Sequence, residues 1–376
     1  MLSSLHLRQL QQWNQYLQPH LPFFKRFDVS YGKSGIALFY LYKYKLLQEA
    51  ADLAAFHELT AAAIEQMTTM ASKDQYFIQL TELAFFLRLY QEEISSGQDI
   101  TELLEHTDDM LVKAATIQLQ QQQLDGFSGA GFQIYYLLYT GSRHPLINTF
   151  IEQIAARVQQ SGSYAVSLQP GQPAQPGIIH GISFLLLILA GCLQQHILPD
   201  TCRSLLQGFS TYLLSHQQEE AVHHTYFPHA FGHPSFSRLN ICYGDAGIFT
   251  ALLKTAQATS DLSLLQFVER GIQFSAGRQS ADRNGIDNNG ILYGYSGICL
   301  WLQRMQQQGI AISAGDILWW QQQQESGVAA LNISSLETPA SQLKPLTFAE
   351  GATGALVALM SRHLQDDRFC SFLYLP

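Results

Sequence analysis

Ser237-Arg238-Leu239-Asn240-Ile241-Cys242-Tyr243-Gly244-Asp245-Ala246-Gly247 sets an arginine, a cysteine and a tyrosine in front of a Gly-x-x-Gly step, and an apolar run from Ile248 to Leu253 follows. A cysteine at the entry to a helix lies among backbone N–H groups that have no intrahelical partner, a setting that favours the thiolate. Taken alone, the stretch reads as a small buried residue ahead of a glycine-packed helix. The step recurs, however, along the whole chain. It returns at Gly32-Lys33-Ser34-Gly35, Gly126-Phe127-Ser128-Gly129, Gly294-Tyr295-Ser296-Gly297 and Gly351-Ala352-Thr353-Gly354. At Gly181-Ile182-Ser183-Phe184 a phenylalanine replaces the second glycine.

Each step opens an apolar run, and amphipathic segments lie between them. Helical spacing of apolar residues marks segments 1–20, 49–71, 98–119, 146–160, 200–215, 260–276 and 314–324. A further apolar helix, 76–91, has no glycine step in front of it. The most apolar run, 177–193, carries His180 and is short for a membrane span, so it reads as a buried helix. Alternating strand patterns are almost absent. Unit starts near 32, 80, 126, 181, 244, 294 and 351 are separated by roughly 45–65 residues, room for one helical hairpin and a loop.

These units predict an all-α fold, an α/α toroid with about seven inner and seven outer helices, built as a single domain over 1–376. Helices apolar all round suit an inner layer and amphipathic ones an outer layer. Glycine at the inner helix starts is expected to let neighbouring backbones approach near the ring axis. The glycine-end loops then share one face, where Asp125, His180, Arg238, Cys242, Tyr243, Tyr293 and Glu350 would converge. Each has a plainer reading as well. Asp125 suits a helix N-cap, His180 a satisfied core histidine, Arg238 an ion pair, and the two tyrosines simple packing.

Composition narrows the class. A chain of 376 residues, 47% hydrophobic and 14% charged, can bury a large core. A net charge of −9 argues against a nucleic-acid surface. Five widely spaced cysteines with no CxxC pair fit a reduced, intracellular protein. The polar N-terminus lacks the apolar core of a signal peptide, so the expected location is cytoplasmic, with no transmembrane segment. The glutamine runs 120–123, 306–308 and 321–324 read as solvated helix faces.

From about Tyr31 to Leu359 the sequence resembles the lanthionine synthetase C-like family, cyclases that close thioether rings in class I lanthipeptides. The resemblance rests on Gly177-x-x-His180-Gly181, on Arg238-x-x-x-Cys242-Tyr243-Gly244 and on the ordered set of glycine steps. It implies the double-layered barrel and a dehydrated precursor peptide as substrate, with a lanthipeptide dehydratase as a further partner. It also implies catalytic roles for Asp125, His180, Arg238 and Tyr243. The family holds zinc with two cysteines and a histidine. Cys242 matches the first ligand, but Leu292 and Tyr293 stand where the second cysteine and the histidine belong. Leucine cannot bind a metal and neutral tyrosine is a poor zinc ligand, so no cofactor is expected unless replacement ligands exist. His223, His224, His229 and His233 are the candidates for such a replacement, against a plainer reading as an exposed loop.

Three functions are open at this level. One is thioether ring formation by Michael addition without the usual zinc. The second is a pseudo-cyclase that binds the peptide or scaffolds a dehydratase. The third is a glycosidase, since α/α toroids also host carbohydrate enzymes, but that needs two pocket carboxylates from Asp125, Asp245 and Glu350.

Overall fold

The computed structural model describes residues 4–70, 75–94, 98–169, 171–232, 236–286, 288–330 and 343–375. Among them are sixteen α-helices and no strand, only an isolated bridge between Asn288 and Gly294. The expected helical segments are present, and two short helices, Glu220–His223 and Ala281–Asn284, add to them.

The two helix types differ in what they bury. Ile182–Gln194 buries every residue except Gly191 and Gln194. Such a segment has no polar face to offer water, and each fully buried Leu or Ile stabilises the fold by about 1.5–3 kcal/mol. Pro145–Ser161 buries only Ile147, Phe150, Ile151 and Ile154, one stripe at helical spacing. His144 caps that helix by accepting from the Leu146 N–H, and Pro145 at the first position needs no donor.

The chain forms two compact units. One comprises Met1–Leu104, Ile286–Arg304 and Ala314–Cys370. In it Lys33–Leu47 packs against Ala50–Thr69 and Ala352–Leu364, while Ala314–Ala329 packs against Ala352–Leu364 and Ser4–Leu17. Gln324 departs from the solvated reading of its glutamine run. It is fully buried, donating to Ser296 Oγ and accepting from Arg362 Nη1, because its position faces the Tyr295–Gln307 helix. The other unit comprises Glu105–Gly285, Met305–Ser313 and Ser371–Pro376. Its centre is Ile182–Gln194 against Asp245–Thr259, with Ala130–Tyr139, Pro199–Leu214 and Leu262–Ala276 packed around them.

The glycine step has a local cause. A Cβ at Gly244 would lie 1.6 Å from the Arg238 carbonyl oxygen, and one at Gly247 would lie 1.9 Å from that of Ile241. The same six-residue offset sets Gly32 against Arg26 and Gly35 against Val29, and it recurs at 294/297 and 351/354. Each incoming loop therefore folds back over the first turn of its own helix, with the first glycine as the N-cap. This local contact stands beside the expected reason, the approach of neighbouring backbones, which is seen at Gly126, where a Cβ would lie 2.9 Å from the Ile179 carbonyl oxygen. Approach of a neighbouring loop does explain two other glycines. A Cβ at Gly177 would sit 2.7 Å from the Cys242 carbonyl oxygen, and one at Gly290 would sit 2.8 Å from that of Glu350. The step read at Gly126-x-x-Gly129 is also displaced, since the cap of Ala130–Tyr139 is Gly129 itself.

Hydrogen bonds tie these loops together inside each unit. The Ile178 and Ile179 N–H groups donate to the Cys242 carbonyl at 3.0 and 3.3 Å. Ile291 and Leu292 donate to the Ala349 carbonyl in the same way, and the Ala349 N–H donates to Ser30. Among the described residues no helix is long and apolar enough to cross a membrane.

Candidate active site

With the caps located, one position recurs from loop to loop. The residues directly before the cap glycines are Tyr31, Ser128, His180, Tyr243, Tyr293 and Glu350. Because each loop has the same fold-back, these side chains leave the backbone at equivalent places. The sequence pattern does not single out Tyr31; its signal is its place immediately before Gly32.

In the second unit the structure brings together Asp125, His180 and Tyr243. Asp125 is 3% exposed. Its Oδ1 accepts from the Phe127 N–H at 3.0 Å, the Ser128 N–H at 2.7 Å and the Ser128 hydroxyl at 2.8 Å. It thus fixes the turn ahead of the helix rather than capping the helix. Its Oδ2 lies 2.7 Å from His180 Nδ1. Burial alone would raise the Asp125 carboxyl, but the His180 hydrogen bond and the two backbone donors outweigh it, holding the group below the ordinary carboxylate value. An ionised carboxylate only accepts, so Nδ1 carries the proton toward it. Gln169 Nε2, which no sequence pattern announces, lies 3.0 Å from the same Nδ1. The tautomer leaves Nε2 of His180 with its lone pair available, the arrangement that orients a general base.

The Tyr243 ring lies against His180, with centroids 6.1 Å apart, and against His229 at 5.9 Å. Its N–H donates to Asn240 Oδ1 at 2.8 Å, and burial raises its phenol, with the neighbouring Cys242 and Asp125 adding to the effect. Cys242 is 5% exposed. Arg238 lies six residues ahead of the Gly244 cap and is exposed, its stem over Gly285, where a Cβ would meet its Cγ at 2.7 Å.

In the first unit, the Tyr31 hydroxyl donates to Glu350 Oε1 at 2.8 Å, and Lys344 Nζ lies 2.6 Å from Glu350 Oε2. Burial and then the Glu350 hydrogen bond push the Tyr31 phenol far up, with a contribution from the nearby Tyr293. Both Tyr293 and Leu292 are half-buried.

Asp245 does not belong with these groups. It is fully buried, accepts from the Tyr226 and Phe227 N–H groups, and pairs with Arg278 at 3.0 Å. Burial raises its carboxyl to about 6 against the pull of Arg278. It braces the fold, and the glycosidase reading loses a carboxylate.

The donor set does not fit the family's zinc site. Leu292 supplies no lone pair and Tyr293 only a phenol. Among the described residues no group of three His, Cys, Asp or Glu is placed to hold a metal. His223, His224 and His229 form no such group with Cys242, and His233 lies outside the described residues.

Among the described residues the protein is helical, with an Asp–His pair in the loops that lead into apolar helices. The chain belongs to the lanthionine synthetase C-like protein family, whose sequence profile it matches over residues 24–373. Among solved structures it is similar to nisin cyclase, with a TM-score of 0.74 at 16% identity, over 98% of this chain and 97% of that one. That likeness gives the fold class read from the repeats, an α/α toroid. No curated protein matches the chain by sequence.

Proposed function

We propose that this chain is a lanthipeptide cyclase, closing lanthionine or methyllanthionine rings in a dehydrated precursor peptide. The observation that carries the reading is the 2.7 Å Asp125–His180 contact beside Tyr243, in a chain of this family. His180 Nε2 takes the proton of a peptide cysteine thiol. The sulfur then adds to the β-carbon of dehydroalanine or dehydrobutyrine, and the C–S bond forms as the Cα–Cβ π bond breaks. The electron pair moves to the carbonyl oxygen as an enolate, and a proton added at Cα completes the ring with no net change in composition. Asp125 holds the imidazole in the working tautomer and stabilises the imidazolium. Arg238 offsets the enolate charge, and Tyr243 orients the peptide against His180.

We further propose that the reaction runs without zinc, given Leu292 and Tyr293 in the ligand positions. An ordinary thiol, pKa about 8.5, is already a few per cent ionised near neutrality. With His180 to complete deprotonation, a reactive alkene needs no metal thiolate. A dehydratase supplies the substrate, in the cytoplasm. The absent ligand pair also favours a second reading, a pseudo-cyclase that only holds the peptide.

His180→Ala separates the two. Cyclisation leaves mass unchanged, so turnover is counted as peptide thiols protected from alkylation, beside peptide affinity by fluorescence anisotropy. A cyclase loses turnover, by about 10²–10⁴-fold for a general base, and keeps its affinity. A wild-type protein that binds peptide and protects no thiols above the uncatalysed rate would establish the pseudo-cyclase.

A further inference from the structure

The addition needs two proton-handling events, removal from sulfur and delivery to Cα. The Asp125–His180 pair is built for the first, with its Nδ1 proton committed to a carboxylate and that carboxylate held by the Ser128 turn. Delivery asks for something else: a group beside the same substrate, able to exchange protons with water between turnovers. Tyr243 is poorly suited, since burial raises its phenol further.

His229 meets the requirement. Its ring centroid is 5.9 Å from that of Tyr243, while His180 is 6.1 Å from the same ring. Tyr243 is therefore contacted by two imidazoles from separate loops, one tied to a buried carboxylate and the other exposed to solvent. The segment that carries His229 is anchored. Just upstream, the Tyr226 and Phe227 N–H groups donate to buried Asp245, which pairs with Arg278. Tyr226 and Phe227 also pack edge-on against Phe249 of the Asp245–Thr259 helix. His229 is thus two residues from a fixed point, close enough to be positioned and exposed enough to be reprotonated.

Resting on the cyclase reading above, we propose that His229 is the acid that delivers the proton to Cα, with His180 as the base that removes it from sulfur. The step balances. His180 gains the thiol proton, the enolate carbon gains one from the His229 imidazolium, and water returns both imidazoles to their starting states. An acid held against one ring delivers to one face of the enolate, so His229 sets the configuration at the new Cα centre.

The test uses the full-length protein and a synthetic peptide carrying one dehydroalanine and one cysteine. Product is hydrolysed and the lanthionine stereoisomers are separated by chiral chromatography. His229→Phe keeps a ring against Tyr243 without a transferable proton. It should bind peptide as the wild type does, turn over about 10²-fold more slowly or worse, and yield a mixture of Cα configurations where the wild type yields one. His229→Gly should regain rate when imidazole is added, which a purely packing role would not allow. Unchanged rate and configuration in His229→Phe would overturn the assignment while leaving the cyclase reading intact. Wild-type protein that forms no ring would overturn both.

Discussion

Asp125→Asn removes one charge and leaves the shape of the site intact. The amide oxygen replaces Oδ1 and still accepts from the Phe127 N–H, the Ser128 N–H and the Ser128 hydroxyl. The amide nitrogen replaces Oδ2, 2.7 Å from His180 Nδ1. Two donors then face each other, and the imidazole relieves the conflict by moving its proton to Nε2. The lone pair that takes the thiol proton is lost with it. Loss of a positioned base lowers turnover by about 10²–10⁴-fold, equivalent to about 3–5 kcal/mol of barrier. Peptide affinity should stay near that of the wild type. Folding stability falls less, by about 1.5–3 kcal/mol, the net value of one hydrogen bond to a charged group. That loss depends on pH. The Asp125 value is lowered on folding, so the ionised carboxylate stabilises the native state above the unfolded value of about 3.9 and ceases to as pH falls through the folded value. Denaturation of wild type and Asp125→Asn should therefore differ most near neutrality and converge in acid. Turnover within twofold of wild type in a folded variant would refute the role assigned to the pair.

Gly244→Ala should be among the most damaging single-methyl changes in the chain, because its Cβ would lie 1.6 Å from a backbone carbonyl that cannot rotate away, and a Tm drop of several degrees beside little change for Gly191→Ala, whose Cβ would meet only the Leu138 Cδ1 methyl at 3.9 Å, would show it. Asp245→Ala strands the buried Arg278 guanidinium and should cost about 3–5 kcal/mol in chemical denaturation, whereas His223→Ala on the neighbouring segment should change little. Metal analysis of the untagged protein should find far less than one zinc per chain, with no difference in Cys242→Ala; stoichiometric zinc lost in that variant would mean that residues outside the family pattern complete a site.

Many of the candidate residues are already marked in the sequence at the level of loops. In one unit His180 and Tyr243, and in the other Tyr293 and Glu350, stand out because each directly precedes a glycine, and the structure makes that glycine a helix cap or sets it against the same upstream carbonyl. Tyr31 shares that position, its one local signal, and its phenol reaches Glu350. Gln169 is further from legible. It sits in a segment with no periodicity, and only loop packing brings it to His180. Asp245 shows the opposite failure. A carboxylate beside the Cys-Tyr-Gly motif looks catalytic, but its first-turn position aims it inward at Arg278 and two backbone donors.

The sequence alone determined the helices, their order, and which of them are buried all round. Those properties follow from apolar spacing and capping, which act within a turn or two of the chain. It also marked the helix ends at which the candidate residues stand. Only tertiary structure decided which side chains meet. Asp125 reaches His180 across 55 positions, and both loops of the Tyr243 contact are set by backbone hydrogen bonds and buried braces formed at long range. The reason is geometric: a hydrogen bond requires placement to a few tenths of an ångström, and no local pattern fixes the separation of two loops to that tolerance.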